Sequence, residues 1–162
     1  MVKKVLIIVY SYHHKNTEKI AKAMAKILDA EIRKPYEIIP DDIKEYDLVG
    51  FGSGIYSSNL HKSILDFIDK IQKVKDKTAI VFSTCGAPGF AVDGGHVQDY
   101  LEKVHKEVKQ KLRLKGYKVV DEFICPGWNT NSFLKLFGGI NKGRPNDTDL
   151  KNAEEFAKNL IN

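Results

Sequence analysis

Residues 5–17 read V-L-I-I-V-Y-S-Y-H-H-K-N-T, and the rest of the chain is organised around this stretch. A run of apolar, mostly β-branched residues ends abruptly at Ser11, and a short polar segment leads into a sequence whose apolar residues have helical spacing. The run predicts a buried β-strand, and the spacing after it predicts a helix from about Asn16 to Leu28.

The junction between this strand and the helix is a candidate anion site. The first backbone N–H groups of a helix lack partners within the helix, and the helix dipole adds partial positive charge there. Ser11, Asn16 and Thr17 add polar side chains, so we expect a phosphate-bearing ligand in the loop. The alternative is that these residues only cap the helix.

The strand-to-helix pattern recurs along the chain. Apolar runs at Tyr46–Gly52, Thr78–Phe82 and Tyr117–Ile124 predict three more buried strands, and Glu31–Ile39, interrupted by Pro35, predicts a short edge strand. Helical spacing predicts helices over 60–71, over 95–115 and from about 147 to the end of the chain.

The alternation of strands and helices predicts an α/β fold with one domain over residues 1–162. Because the strands are continuously apolar, we expect a doubly wound, five-stranded parallel sheet with helices on both faces. Three predicted strand ends, near Ser11, Ser53 and Ser83, are rich in glycine and hydroxyl residues. Ligands of such sheets bind at this edge, so the sequence predicts a site built from three loops.

The composition is typical of a small domain. A chain of 162 residues with 43% hydrophobic residues can bury one core, and no apolar run suits a membrane span or a signal segment. We therefore expect a cytoplasmic protein without membrane insertion. Cys85 and Cys125 form no C-x-x-C pair and have no histidine at metal-ligand spacing, which favours reduced thiols and predicts no metal site.

The net charge of +5 reflects 26 Lys and Arg residues against 21 Asp and Glu residues. The cations are densest over Lys103–Lys115, a pattern typical of a solvated helix face. The same charge could steer an acidic protein partner. No nucleic-acid motif is present and exposed aromatics do not interleave the cations, so we expect no nucleic-acid partner.

The three loops resemble those of the flavodoxin family, and the similarity extends over essentially the whole chain. Residues 11–17 look like the phosphate loop, in which a hydroxyl residue precedes Gly-Asn-Thr. Residues 52–56 (G-S-G-I-Y) resemble the second flavin-contacting loop, and residues 83–86 (S-T-C-G) the third, which lies along the isoalloxazine. Residues 136–146 resemble a segment of some microbial flavodoxin-like proteins, to which we assign no function.

This resemblance implies the strand order 2-1-3-4-5, non-covalent FMN, and a low-potential carrier that passes electrons between redox proteins. The basic charge of this chain favours partners with an acidic docking surface. The expected FMN-binding residues, including aromatics that could cover the flavin ring, are Ser11, His13, His14, Lys15, Asn16, Thr17, Ser53, Gly54, Ile55, Tyr56, Ser83, Thr84, Cys85, Gly86, Phe90 and Trp128.

Two positions in the resembling loops lead to specific expectations. Lys15 stands where the family has glycine, so either it is strained at positive φ or the backbone differs and its ammonium faces the phosphate. Gly54 is a candidate for a peptide flip that would offer a carbonyl to the reduced flavin, because glycine changes the sign of φ at little cost.

Two other functions remain open at this point. One is an oxidoreductase of the same fold that acts on a quinone or a porphyrinogen, and another is a nucleotide-binding module without redox chemistry. A phospho-accepting receiver domain is disfavoured because it needs an acidic pair after the first strand, where this chain has Ser-Tyr-His.

Overall fold

The computed structural model describes residues 4–88 and 96–162, so the predicted flavin contact Phe90 lies outside the described residues. The described strands are β1 (Val5–Tyr10), β2 (Glu31–Arg33), β3 (Leu48–Tyr56), β4 (Asn59–Leu60), β5 (Lys77–Cys85) and β6 (Tyr117–Pro126). The described helices are α1 (Asn16–Leu28), α2 (Lys62–Lys70), α3 (Val97–Val104), α4 (Lys106–Leu114) and α5 (Asp147–Asn159). Two 3-10 turns lie at Pro40–Glu45 and Ser132–Phe137.

Five strands form one parallel sheet in the order β2-β1-β3-β5-β6. Counted among the parallel strands alone, this is the order 2-1-3-4-5, so the predicted fold class is confirmed. The sequence did not predict β4, a two-residue strand that folds back antiparallel onto the end of β3.

Apolar side chains cover both faces of the sheet because every central strand is apolar at successive positions. On one face, alternate strand residues such as Leu6 and Phe51 pack with α2 and α4. On the other, their neighbours such as Ile7 and Phe82 pack with α1 and α5. This two-sided burial is what continuous apolar strands predict, and it leaves the carboxyl edge of the sheet open for a site.

A glycine in β3 permits close packing near the carboxyl edge of the sheet. A Cβ on Gly52 would lie 2.2 Å from Cζ of Phe82, the residue that it faces in β5. The aromatic ring therefore occupies the space that any other residue at position 52 would need.

Several predicted boundaries differ from the structure. The edge strand β2 ends at Arg33 rather than Ile39, since Pro35 cannot donate to the ladder. By contrast, β3 and β5 continue past Gly52 and Phe82, to Tyr56 and Cys85. The glycine and hydroxyl residues that the sequence places in loops are therefore the last paired residues of these two strands.

The prediction of a single helix over residues 95–115 is wrong for residues 96–115, which the structure describes. This segment forms two helices, α3 and α4, that meet at His105, whose φ and ψ are −99° and 0°. Gly116 ends α4 with φ at +88°, as predicted, and a Cβ there would lie 2.0 Å from the carbonyl oxygen of Val74. Across residues 4–88 and 96–162, no helix has both the length and the apolar character to cross a bilayer.

Candidate functional site

An open cleft, about 420 Å³ when the solvent at its mouth is included, lies beyond the carboxyl ends of β1, β3, β5 and β6. Its lining residues are Ser11, Tyr12, His13, Asn16, Thr17, Gly54, Ile55, Tyr56, Thr84, Gly86, Trp128, Asn129 and Asn131.

Most of the residues predicted for the site line this cleft. The structure brings together Ser11, His13, Asn16, Thr17, Gly54, Ile55, Tyr56, Thr84, Gly86 and Trp128. Outside the lining lie His14, Lys15, Ser53, Ser83 and Cys85. Sequence reasoning missed Tyr12, Asn129 and Asn131, although the polar run after Trp128 was a signal that could have indicated the last two.

The N-terminus of α1 forms one end of the cleft, and Asn16 is its most informative residue. Only 7% of Asn16 is exposed, and its Nδ2 donates to the carbonyl of Trp128 at 2.9 Å. Its Oδ1 is buried and has no hydrogen-bond partner among the described residues. A buried acceptor without a partner is costly, so this position favours a ligand that carries a donor.

A buried hydrogen bond joins the first loop to the third. The hydroxyls of Thr17 and Thr84 lie 2.8 Å apart, and both residues line the cleft. Together with the bond from Asn16 to Trp128, this contact fixes three strand ends relative to one another.

Lys15 has a left-handed backbone, with φ at 54° and ψ at 32°. His14 before it also has positive φ, at 51°. The ammonium of Lys15 lies 3.5 Å from a carboxylate oxygen of Glu18. Of the two alternatives for Lys15, the structure shows the positive φ, and the side chain lies outside the cleft lining.

The two histidines of the first loop fasten the segment after β6. His13 accepts a hydrogen bond from the backbone N–H of Thr130 at 3.1 Å, and His14 Nε2 lies 2.7 Å from the Thr130 hydroxyl. The ring of His14 also stacks on Trp128, with centroids 4.0 Å apart. Burial and then the neighbouring His14 lower the pKa of His13, which favours its neutral, accepting form.

Tyr56 is the aromatic side chain at the end of β3 in the cleft wall. It packs edge-on against His61 at 5.1 Å, and His61 in turn stacks on Tyr10 at 4.1 Å. His61 caps α2, accepting from the N–H of Ser63, and burial lowers its pKa. Burial likewise raises the pKa of Tyr56, so its hydroxyl stays protonated at neutral pH.

Ser53 and Gly54 belong to the sheet rather than to a free loop. The Ser53 hydroxyl donates to the carbonyl of Gly54 at 2.7 Å and accepts from the N–H of His61 at 2.8 Å. Gly54 pairs with Thr84, and its φ is not positive. The predicted flip of the Gly54 carbonyl would break its hydrogen bond with the Ser53 hydroxyl. The positive φ values of this hairpin fall instead on Ser57 and Ser58.

Ser83 lies in a buried polar chain behind the cleft. Its hydroxyl is 2.7 Å from Nε2 of His105, and Nδ1 of His105 is 2.9 Å from Glu122. Lys109 donates to the other Glu122 oxygen at 2.6 Å. Burial lowers the pKa of His105. Burial opposes ionisation of Glu122, but hydrogen bonds from His105 and Lys109 outweigh it and hold the pKa of Glu122 below its usual value.

Cys85 ends β5 as a buried thiol, and Cys125 at the end of β6 is buried too. The sulfur of Cys85 lies 2.8 Å from the hydroxyl of Tyr100 and accepts from the N–H of Ala87. Burial, reinforced by this contact, raises the pKa of Tyr100. Cys85 therefore shapes the third loop from behind rather than lining the cleft.

The segment after β6 closes the cleft on its remaining side. Asn129 forms an antiparallel bridge with Ile140, and its Nδ2 donates to the carbonyl of Gly86 at 3.2 Å. Asn141 donates to the carbonyl of Ala87. A Cβ on Gly86 would lie 2.7 Å from Nδ2 of Asn129, so glycine is needed for this close approach.

Comparison with known proteins agrees with this fold. The uncharacterized protein MJ0298 of Methanocaldococcus jannaschii is 48% identical over 159 residues, covering 98% of each chain. Flavodoxin 2 from Bacillus cereus superposes with a TM-score of 0.68 at 17% identity, covering 98% of this chain and 97% of that one. A flavodoxin from the domain Archaea gives a TM-score of 0.65 at 16% identity, with coverages of 97% and 95%.

These two structural likenesses, at low identity, concern the fold. The family is decided by sequence, because the family model described as a flavodoxin domain matches residues 7–123. With that match, this chain belongs to the flavodoxin domain family.

Proposed function

We propose that the protein binds FMN and carries electrons at low potential between redox proteins. The observation that carries this proposal is the cleft itself, which combines a helix N-terminus, a buried acceptor without a partner and an aromatic wall. A ligand that suits it needs an anionic end, hydroxyl donors and a flat ring, and FMN has all three.

Each part of the ligand has residues suited to it. The N-terminus of α1, with Ser11 and Thr17, would hold the phosphate. Asn16 Oδ1 would accept from a ribityl hydroxyl, since an ionised phosphate has no donor to offer. Tyr56 would lie against the flavin ring, held in place by His61.

When bound, FMN supplies the acceptance and release of electrons, and the residues of this chain supply its position and surroundings. Tyr56 and Trp128, which line the cleft, would limit the access of water to the ring, and this would disfavour the charge added on reduction and lower the potential. Residues 10–17, 53–60, 83–88 and 126–146 contain no Asp or Glu. Phosphate binding therefore meets no repulsion from carboxylates of these segments.

Titration of the apoprotein with FMN, followed by quenching of flavin fluorescence, tests the proposal. We expect a yellow complex, and riboflavin, which lacks the phosphate, should bind at least tenfold more weakly. Asn16→Ala should weaken FMN binding about tenfold or more, because a buried hydrogen bond and the anchor to Trp128 are lost. Lys19→Ala, on an exposed turn of the same helix, is the control and should bind normally.

Assays of the same purified protein distinguish this function from the alternatives. A colourless protein with no measurable FMN affinity would contradict the proposal, and equal affinity for FMN and an adenine mononucleotide would favour a nucleotide-binding module. Turnover of a quinone or a porphyrinogen without a protein partner would favour an oxidoreductase. We place the carrier in the cytoplasm, because a chain with two cysteines and no C-x-x-C pair suits a reducing compartment.

A further inference from the structure

An exposed apolar turn stands beside the cleft and has no role in the core. It is the 3-10 turn at residues 132–137, which we term the 132–137 platform. Phe133, Leu136 and Phe137 are 65%, 77% and 81% exposed. Large apolar side chains that cluster in this way on a surface typically mark an interaction site.

Hydrogen bonds hold the platform firmly at its base. Trp128 Nε1 donates to the carbonyl of Gly138 at 3.0 Å, and the N–H of Gly139 donates to the carbonyl of Leu134 at 2.8 Å. The bridge between Asn129 and Ile140 closes the segment with two backbone bonds of 2.9 and 2.8 Å. The exposure of its apolar side chains is thus a property of a fixed structure.

The platform adjoins the mouth of the cleft. Asn131, the residue before it, lines the cleft, and Thr130 contacts both His13 and His14 of the first loop. Across that loop, Tyr12 also lines the cleft and is 71% exposed. A protein seated on these residues would lie directly over the bound ligand.

The charge around the platform favours an acidic partner. Residues 126–146 contain no Asp or Glu, while Lys135 lies within the platform and Lys142 follows it, both exposed. A partner that complements this surface presents an apolar contact ringed by carboxylates. A second copy of the chain would instead bring the same lysines towards each other, since two-fold interfaces pair identical surfaces.

We propose that the 132–137 platform, together with Tyr12, is the docking surface for a small acidic redox protein. This inference rests on the proposed electron-carrier function, under which the expected binding partner at the opening of the cleft is a redox protein. The apolar side chains supply the contact area, and Lys135 and Lys142 supply steering that weakens as ionic strength rises.

Nuclear magnetic resonance of the ¹⁵N-labelled, FMN-treated chain tests the surface directly. The probes are two purified acidic electron-transfer proteins, a ferredoxin and a rubredoxin, with a basic cytochrome as the counterpart. We expect shifts concentrated at residue 12 and residues 131–138 with at least one acidic probe, decreasing with added salt, and none there with the cytochrome.

Matched variants separate docking from general surface effects. F133S/L136S/F137S should weaken binding of the acidic probe at least tenfold, whereas Y36S/I39S/L114S, which removes three similarly exposed apolar side chains elsewhere, should not. K135E/K142E should weaken binding more than K26E/K151E, which makes the same change of net charge at exposed sites on α1 and α5. All four variants should bind FMN as the unmodified chain does.

Several results would overturn the inference. These are the absence of localised shifts with both acidic probes, shifts that depend only on the concentration of this chain, or binding through the platform to phosphatidylglycerol vesicles alone. FMN affinity, measured on the same samples, keeps the two proposals apart. If FMN binds but the acidic probes cause no shifts at the platform, the docking proposal is wrong and the FMN proposal is unaffected. If the acidic probes dock but FMN does not bind, the electron-carrier proposal fails and the surface stands.

Discussion

Lys15 stands where the resembling phosphate loops have glycine, and it lies outside the cleft lining. Its backbone keeps the left-handed conformation that suits glycine, and its ammonium turns to Glu18 instead of the cleft. The sequence identified the position but left the sign of φ open. It could not identify the partner of the side chain, because a carboxylate three residues away and a ligand phosphate are equally plausible for a flexible lysine.

Replacing Lys15 with glycine should stabilise the protein. A left-handed residue with a Cβ is strained, and relief of that strain should exceed the entropy cost of glycine, raising the free energy of unfolding by about 0.5–1 kcal/mol. Urea denaturation measures the change. Lys19→Gly, at an exposed position inside α1, should instead destabilise by about 1 kcal/mol.

The same variant also tests the site. Because the Lys15 ammonium contacts Glu18, FMN affinity should be the same in Lys15→Gly and Lys19→Gly, which lose equal charge. A specific loss of affinity in Lys15→Gly would mean that the ammonium reaches the phosphate after all.

Ser53 and Ser83 show why residue roles were only partly predictable. Both were expected in ligand loops, since serine is common in loops and loops carry function. They are instead internal residues of β3 and β5, buried against His61 and His105 respectively. Serine occurs both in strands and in loops, so the location of these two residues depends on where each strand ends. Local sequence determines strand length poorly.

At the scale of elements, the break between α3 and α4 was invisible in the apolar pattern. Leu101, Val104, Val108 and Leu112 are all buried and keep helical spacing across it. The break occurs at His105, whose ring bonds to side chains from β5 and β6. Partners from distant strands, rather than helix propensity, therefore determine this boundary.

The hairpin between β3 and β4 is a second element that the sequence did not predict. Its two central residues, Ser57 and Ser58, have φ values of 50° and 62° between the paired residues Tyr56 and Asn59. Such two-residue turns are normally marked by Asn-Gly, and Ser-Ser gave no such indication.

Supplying the preferred residues should therefore strengthen this hairpin. S57N/S58G is expected to raise the free energy of unfolding by about 1 kcal/mol, because both residues then tolerate positive φ. Ser63→Gly is the control and should destabilise, since Ser63 lies in the first turn of α2 and bonds to its cap His61. Chemical denaturation of the two variants compares them, and equal destabilisation would contradict the turn assignment.

For the whole molecule, the alternation of strands and helices was enough to predict the layers of the fold. The strand order came from the resemblance of the loops, and the structure confirms it. The cleft was foreseen where three strand ends meet, but its fourth wall, with Asn129 and Asn131, was not. That wall depends on contacts with Gly86 and His13, which are far away in sequence.

Global stability should fall as the pH drops below about 6.5. His105 has a lowered pKa in the folded state, so the unfolded chain takes up its proton first, near 6.5, and stability decreases from there. Glu122, whose pKa is also lowered, contributes stability above its unfolded value of 4.5 that is lost with further acidification. His13 and His61, with pKa values lowered by burial, act in the same direction.

Unfolding free energies between pH 7.5 and 5 in ~0.5 steps measure this dependence. His105→Gln keeps groups that can bond to Ser83 and Glu122 but does not titrate, so it should flatten the slope below pH 6.5 without abolishing it. His96→Gln, at an exposed histidine, should leave the slope as it is. An unchanged slope in His105→Gln would show that its lowered pKa does not govern acid stability.

The amide of Asn16 spans 112 positions of the chain when it donates to the carbonyl of Trp128. During synthesis, the first loop leaves the ribosome long before its partner exists. The cleft is thus complete only once β6 and the segment after it have been made and docked. A cofactor that needs the complete cleft would then bind only to full-length, folded chains, and not to nascent or shortened ones.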